Sequence, residues 1–179
     1  MRAPRRALLG SVASIALGGC LGGGGGATPT SRPDLDGDGV PDHADDYPDD
    51  PERAVRTSRV GGTPTLQPGD YSAVALTNSP RAQGEVLHYE LSVAGETPVD
   101  CLVFERDAYD AYVDGARDVP VVDEYSRTAV TETSLTARLD RGEYVLALDY
   151  TAQSTPPGAA PVEVDWVVEL ADPAPTETP

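Results

Sequence analysis

The stretch Val162–Leu170, VEVDWVVEL, decides the fold class of this chain. Apolar side chains occupy every second position, and three of the four residues between them are acidic. Successive side chains of a β-strand point to opposite faces of a sheet, so this alternation predicts a strand with one face in a core and one in solvent. Trp166 belongs to the core-facing set, so core packing is expected for it rather than stacking on a carbohydrate.

Other segments of the chain alternate in the same way. Leu87–Val93, Leu135–Leu139 and Tyr144–Tyr150 each place apolar residues at every second position. Turn-forming sequences separate the apolar runs, for example the PGD triplet at residues 68–70. Several short strands with turns between them, and no long amphipathic helix, predict an all-β fold: an antiparallel, jelly-roll-like β-sandwich over residues 60–170.

One short segment and one cysteine stand apart from this pattern. Asp107–Gly115, DAYDAYVDG, has an Asp to cap the start of a helix and a Gly to end it, so a two-turn helix is predicted. Tyr109 and Tyr112 lie three residues apart on one face of that helix and are expected to pack on the sandwich. Cys101 lies in the apolar run Val99–Phe104, where a small buried hydrophobic side chain is expected.

The first 20 residues, MRAPRRALLGSVASIALGGC, have the layout of an export signal. Arginines come first, and the apolar run Ala7–Leu17 is too short to span a bilayer, which needs about 20 residues. Its length is that of a signal-peptide core. The sequence LGGC at 17–20 resembles the lipobox of prokaryotic lipoproteins, which implies a signal peptide over residues 1–19 and lipid attachment at Cys20. The arginine pair at 5–6 resembles, more loosely, a twin-arginine export signal.

The rest of the chain divides by composition. Residues 20–33 are Gly-rich and then contain Thr and Pro, which predicts a flexible, disordered tether. Residues 34–52 are strongly acidic, and Arg53–Arg59 is a short polar connection to the sandwich. Residues 171–179 predict a Pro-rich disordered tail.

The charge balance of the chain excludes some partners. All 13 basic residues are arginine, and 30 acidic residues bring the net charge to -17. Such a surface repels the phosphates of nucleic acid and of anionic lipid headgroups. Repulsion within the chain is screened at molar salt, so the acidic, lysine-free composition resembles that of proteins from salt-loving archaea. A GC-rich genome, which favours Arg codons, is the alternative explanation for the missing lysine.

The acidic stretch Asp34–Asp50, DLDGDGVPDHADDYPDD, contains eight aspartates. Calcium needs about six to eight oxygens around one point, and a short loop supplies them if carboxylates alternate and a glycine permits a sharp turn. Counted from Asp34, Gly39 falls at the turn position six. Candidate ligands fall at positions one, three, five, seven, nine and twelve: Asp34, Asp36, Asp38, the carbonyl of Val40, Asp42 and Asp45. An EF-hand loop differs in having Glu at twelve and amphipathic helices on both sides.

With Pro48 three residues after Asp45, this stretch resembles a thrombospondin type 3 repeat. The resemblance implies Ca²⁺ at the same six positions. Tyr47 stands where the family has a cysteine, so no disulfide staple exists, and one full repeat is present. The candidates for a second calcium site, by the same resemblance, are Asp46, Asp49 and Asp50. A solvated acidic spacer is the alternative reading. Magnesium fits less well because it prefers a rigid octahedron.

The order of elements along residues 63–170 carries a second resemblance. LQPGDY at 66–71 is followed by the strands Leu87–Val93 and Val99–Glu105, the Tyr-x-x-Tyr helix, and L-x-x-G-x-Y-x-L-x-L from Leu139 to Leu148. This order is similar to that of Golgi-dynamics-like domains and prepeptidase C-terminal domains. The resemblance implies an adhesion, cargo-contact or accessory role without catalysis, although the fold alone names no ligand.

The sequence contains none of the short motifs HxH, HExxH, CxxC or GxSxG that mark common metal-dependent or nucleophilic enzymes. His43 falls at position ten of the acidic loop, where side chains point outward. His88 falls on the polar face of its strand, so an exposed histidine is predicted there. These features indicate a protein that is not an enzyme.

Together these patterns predict a lipid-anchored, calcium-binding protein on the extracellular face of the cell membrane. The predicted role is a surface binding or accessory module whose partner is a cell-surface protein or a glycan, with no nucleic acid. The alternative is a structural envelope or stalk protein without a specific ligand. A small secreted hydrolase is the least favoured reading. The sequence leaves open the oligomeric state and whether calcium is structural or regulatory.

Overall fold

The computed structural model describes residues 32–80, 84–116, 118–150 and 159–174. The predicted signal peptide, the lipid-attachment residue Cys20, nearly all of the predicted tether and the last five residues lie outside this part of the chain. No helix in the described part is long and apolar enough to cross a membrane.

The described residues form nine strands and one helix. Their bounds, in chain order, are β1 Val55–Gly62, β2 Thr65–Leu66, β3 Tyr71–Asn78, β4 Val86–Val93, β5 Val99–Glu105, α1 Arg106–Val113, β6 Arg127–Val130, β7 Glu132–Arg138, β8 Gly142–Asp149 and β9 Val162–Asp172. The fold is an all-β sandwich of two antiparallel sheets with one short helix, so the predicted fold class is confirmed.

The strands pair in an order unlike their order in the sequence. The first sheet has the order β1-β9-β4-β7, with the short β2 also pairing with β9. The second sheet has the order β3-β8-β5-β6. Because β9 is central in the first sheet, the stretch Val162–Leu170 contacts β1, β2 and β4. In this register Leu91 lies opposite Trp166.

The hydrophobic core lies between the two sheets and uses the alternate residues that the pattern identified. Leu87, Tyr89, Leu146 and Val164 are at most 1% exposed. Trp166 is buried in the same cluster, as expected. Burying side chains of this size contributes roughly 1.5–3 kcal/mol each, which makes this cluster the main source of stability in the fold.

The helix α1 covers the outer face of the second sheet. Tyr109 and Tyr112 stack on one another, and both rings lie within about 6 Å of Phe104. Ala147 of β8 is buried beneath them. The prediction that the two tyrosines pack on the sandwich is confirmed, and their packing explains why β8 is buried on both faces although its sequence alternates.

Three local boundaries differ from the predicted ones. β1 begins at Val55, inside the predicted polar connection, and β9 continues to Asp172, where Ala171 is fully buried in the predicted tail. α1 begins one residue early, and Glu105 at its N-cap makes no side-chain capping bond. Gly115 has a φ of 100° and follows the C-cap residue Asp114, as the predicted glycine stop requires. β1 consists of exposed residues, many of them polar, and is stabilised by its pairing with β9. The alternation of apolar residues does not predict a strand of this kind.

Candidate metal centre

The acidic loop, residues 34–45, is folded by its own carboxylates rather than by an apolar core. Asp34 Oδ1 accepts the N–H of Gly37 at 2.9 Å, and Asp34 Oδ2 accepts that of Gly39 at 3.2 Å. The N–H of Leu35 donates to Asp42 Oδ1 at 2.8 Å, which closes the loop on itself. Gly37 and Gly39 have φ of 77° and 95°, a backbone region that glycine enters without strain.

In three aspartates of the loop, only one of the two carboxylate oxygens accepts a hydrogen bond from the part of the chain that the structure describes. Asp36, Asp38 and Asp45 each use Oδ1 to accept the N–H two residues later, at 3.2, 2.7 and 2.7 Å. These are the Asx turns that Asp forms readily. The Oδ2 atom of each is buried and has no hydrogen-bond partner among the described residues. Buried polar atoms nearly always have partners, and a water or a cation would satisfy these three oxygens.

The carboxylates at the start and end of the loop act on one another electrostatically. Oxygens of Asp34, Asp36 and Asp38 lie within 4.8 Å of one another. The pKa of Asp45 is raised, mainly because the carboxyl is desolvated, and also because the charges of Asp38 and Asp36 act on it, against the lowering effect of its bond from Tyr47. Four of the six predicted ligand residues therefore share one electrostatic neighbourhood. Carboxylate oxygens in this number suit a hard divalent cation such as Ca²⁺.

The other two predicted ligand residues are placed differently. Asp42 is half-buried and is not part of the close group of three, and its Oδ1 is engaged by the Leu35 N–H. That placement suits the water-mediated contact expected at position nine of such loops. Val40 is half-buried and donates its N–H to Asp38. His43 is exposed, as predicted from its position.

The candidates for a second calcium site have partners within the protein. Asp46 Oδ2 accepts the N–H of Arg56 at 2.9 Å. Asp50 forms an ion pair with Arg53 at 2.7 Å and accepts the N–H of Glu52 at 3.1 Å. Two of the three candidate carboxylates thus already hold the segment that follows the loop.

The residue that joins the loop to the sandwich was missed by sequence reasoning. Tyr47 is 7% exposed, and its hydroxyl donates to Glu169 Oε2 at 3.1 Å. The guanidinium carbons of Arg53 and Arg56 lie 4.1 and 5.1 Å from the centre of its ring. A single aromatic residue within a run of aspartates was the available signal. Burial and cation–π contacts together hold this end of the loop against β9.

Glu169 is the other half of this contact and corrects a prediction. Alternation placed it on the solvent face of its strand, yet it is 4% exposed because Tyr47 and three arginines cover it. Arg53 and Arg56 approach its carboxylate at 3.3 and 3.4 Å, and Arg59 is also bonded to it. We call Tyr47, Arg53, Arg56, Arg59 and Glu169 the Tyr47 anchor.

The electrostatics of the Tyr47 anchor favour an ionised Glu169. Burial by itself raises the pKa of Glu169, but hydrogen bonds from Arg59 and Tyr47 and the charges of Arg59 and Arg56 outweigh it, so the pKa lies below the ordinary value. Burial raises the pKa of Tyr47, so that hydroxyl keeps its proton and donates. The anchor is therefore a charged, hydrogen-bonded joint between the loop and the sheet.

The environments of His88 and Cys101 are those of packed side chains. His88 was predicted to be exposed and is buried at 9% exposure, with Nδ1 2.8 Å from Thr136 Oγ1 and Nε2 3.4 Å from Glu90. Desolvation, followed by the charge of Arg53, lowers the pKa of His88. Cys101 is buried as predicted, and burial raises the pKa of its thiol to about 12. Such a thiol is a poor nucleophile.

A shallow groove of about 840 Å³ crosses the outer face of the first sheet. The residues that line it include Gly61 and Val167 and the charged residues Arg59, Glu90 and Asp165. It lies on the face opposite the core and is open to solvent.

Comparisons with known proteins do not assign the chain to a family. No protein-family model matches the chain, and no curated protein matches it. Among solved structures, a periplasmic inhibitor of g-type lysozyme from Aeromonas hydrophila, PliG, is 14% identical over 65% of this chain and 87% of its own, with a TM-score of 0.38. The coat protein of Tobacco streak virus is 15% identical over 68% of this chain and 91% of its own, with a TM-score of 0.26. Likenesses this distant carry no argument about function.

Proposed function

We propose that this protein is a calcium-binding lipoprotein on the outer face of the cell membrane, whose non-catalytic sandwich serves as a binding or accessory module. One observation carries the calcium part of the proposal. The Oδ2 atoms of Asp36, Asp38 and Asp45 are buried and lack hydrogen-bond partners among the described residues. An anionic oxygen buried without a partner is costly, and a shared divalent cation would remove that cost for all three.

The residues of the loop divide the binding work. Asp34, Asp36, Asp38 and Asp45 would hold Ca²⁺ directly, with the Val40 carbonyl and Asp42, through a water, as the remaining ligands. The ion supplies positive charge that neutralises the clustered carboxylates. The Oδ1 bonds of Asp36, Asp38 and Asp45 fix the backbone turns. A loop that is already turned in this way loses less conformational freedom on binding, which favours affinity.

The Tyr47 anchor supports a structural role for the bound ion. Asp45 accepts the N–H of Tyr47, and Tyr47 contacts Glu169 in the sandwich. Asp46 donates its N–H to Ala54, and Ala54 donates in turn to Asp172 at the end of β9. An ion that orders Asp45 would therefore order the connection to the first sheet, and the loop would act as a rigid spacer rather than a free tether.

Isothermal titration calorimetry with Ca²⁺ tests the metal site. We expect heat of binding in the wild type and its loss in Asp36→Asn and Asp45→Asn, because each change removes a charged ligand. Asp123→Asn removes the same charge from an exposed position of the sandwich and should bind as the wild type does. Absence of binding at millimolar calcium in the wild type would overturn the metal assignment.

The membrane part of the proposal rests on the first 20 residues of the sequence, with their short apolar run and the sequence LGGC. Replacement of Cys20 by Ser removes the atom that would carry lipid. We expect Cys20→Ser protein to appear in the culture medium, whereas wild type sediments with membranes. Unchanged sedimentation of Cys20→Ser would contradict the anchor without affecting the calcium site.

A further inference from the structure

The four edges of the two sheets differ in how they are protected against pairing with another chain. Exposed edge strands in natural proteins are usually short, charged, bulged or covered. β1 carries Arg56 and Arg59 and has a register irregularity between Arg56 and Ser58. β6 has four residues, an irregular register with β5, and a φ of 52° at Ala129. β7 carries Glu132 and Arg138 at its ends.

The fourth edge, β3, is neither short nor charged nor bulged. Its sequence YSAVALTN contains no charged residue and no proline. Its register with β8 is unbroken from Tyr71 opposite Asp149 to Asn78 opposite Gly142. Among the described strands longer than two residues, β3 is alone in having no charged side chain, in a chain of net charge -17. An edge that is long, regular in register and uncharged is the kind that pairs with another strand.

Hydrogen bonds around β8 establish which residues of β3 face outward. The N–H of Tyr150 donates to the carbonyl of Asp70. The backbone groups of Asp70 therefore point towards β8, and those of the next residue, Tyr71, point away from it. On the other side of β8, the carbonyl of Val103 accepts the N–H of Val122, and the N–H of Val103 donates to Ser126 Oγ. The backbone groups of Val103 therefore point away from β8. The side to which the backbone N–H and C=O groups point alternates from one residue to the next along a strand. Both observations therefore identify the same residues of β3 as the ones whose backbone groups point outward. The outward-facing residues are Tyr71, Ala73, Ala75 and Thr77.

Among the residues that the structure describes, few approach the outward backbone groups of β3. Within the described residues, no backbone hydrogen bond from a turn or loop reaches Tyr71–Asn78. Gly84 lies close to the Thr77 carbonyl and covers that end. With respect to the described part of the chain, the open stretch is therefore Tyr71–Ala75. Ala73 and Ala75 are exposed and small, so another backbone can approach them closely.

We propose that a second copy of this chain pairs with this edge, β3 against β3 and antiparallel, so that the two second sheets join into one continuous sheet. A copy is the favoured occupant because the same open, uncharged edge then meets itself about a two-fold axis, which makes the contact self-complementary. Two chains of like net charge repel over most of their surfaces, and an uncharged seam is where they can approach. Tyr71, 37% exposed, would gain contact area in this pairing.

The proposal predicts how charged substitutions act. Ala73→Glu with Ala75→Glu places glutamates of the two copies beside one another in any register that pairs the open stretch. Like charges that face each other across strands are destabilising. Thr128→Glu with Ser134→Glu adds the same two charges at exposed positions of the β6 and β7 edges and is the matched control. The prediction is independent of the calcium site, which lies in a different part of the chain.

Sedimentation equilibrium of the full protein, purified from its cells in detergent, measures the dimerisation constant at about 0.15 M salt. We expect a concentration-dependent dimer in the wild type and the control, weakened about tenfold or more in the Ala73→Glu, Ala75→Glu variant. Mixing this variant with Ala73→Lys, Ala75→Lys protein should restore dimers, which unfolded chains would not do. A monomeric wild type, equal weakening in the control, or no recovery in the mixture would each overturn the proposal.

Discussion

The acidic loop and the sandwich are ordered by opposite means within one chain. Over residues 34–45 the turns are made by carboxylates that accept nearby backbone N–H groups, such as Asp34 with Gly37 and Gly39. In the sandwich, order comes from apolar side chains that meet across long sequence separations, such as Leu91 and Trp166. The loop is local and polar, and the sandwich is non-local and apolar.

The difference shows where each region draws its stability. The core of the sandwich gains free energy by removing apolar surface from water, which needs no bound ion. The loop concentrates like charges, which repel until an opposite charge is present. The two regions should therefore respond differently to core mutations, to calcium and to pH, and the Tyr47 anchor should transmit part of the response of the loop to the sandwich.

The largest expected effect is a truncation in the core. Leu146 is 0% exposed, so Leu146→Ala should lower the free energy of unfolding by about 2–5 kcal/mol through lost burial and a residual cavity. Urea denaturation with calcium and with chelator measures it, and the loss should be the same in both. Leu35→Ala, at a position that is 74% exposed, is the control and should change stability little. A loss that depended on calcium would mean that the core is not independent of the loop.

The next effect tests the joint between the two regions. At a free calcium concentration about 100 times its Kd, binding adds about 2.7 kcal/mol to the unfolding free energy, provided that the loop and the sandwich unfold together. Tyr47→Ala removes the ring that packs on Arg53 and the hydroxyl that bonds Glu169. This variant should still bind calcium, while the calcium-induced shift of sandwich unfolding becomes smaller. An undiminished shift would show that coupling runs through another contact.

The smallest expected effect is a pH dependence, since Arg56 and Arg59 are partly exposed and such ion pairs are screened by solvent. The folded pKa of Glu169 lies below its unfolded value, so its stabilisation is present above the unfolded pKa, about 4.3, and is lost as pH falls through the folded pKa. The stability difference between wild type and Glu169→Gln should thus shrink as pH falls below about 4.

Thermal or urea unfolding in chelator from neutral to acid pH checks this prediction. Glu163→Gln, at an exposed position on the same strand, is the matched control and should follow the wild-type profile. If the Glu169→Gln difference were constant across that range, the carboxylate would not be the titrating group of the anchor.

Much of the fold follows from local pattern. Alternation in Val162–Leu170 predicted a strand, and that strand is β9, at the centre of the first sheet. The Asp and Gly at the ends of Asp107–Gly115 predicted a helix, and its tyrosines were predicted to pack on the sandwich, where Tyr112 is buried. These features were predictable because a side-chain period of two or about 3.6 is a property of the backbone geometry itself.

Part of the candidate metal site was likewise predictable from the sequence, and part was not. The spacing of Asp34, Asp36, Asp38 and Asp45 was read from the sequence, because a tight loop brings alternate residues to one side over a short distance. The contact of Tyr47 with Glu169 was not, since 122 positions separate the two residues and pairing at that distance depends on the whole sheet. Asp46 and Asp50 likewise have arginine partners whose positions depend on the start of β1.

The sequence by itself determined that this chain forms an antiparallel β-sandwich and that its carboxylates are spaced as ligands in one loop. Only the tertiary structure decided that Glu169 and His88 are buried, that β8 is covered on both faces, and that β3 is left as an uncharged edge. The physical reason is the distance along the sequence over which each effect acts. Periodicity and loop spacing act within a few residues, whereas burial and strand neighbours depend on which distant segments the closed core brings together.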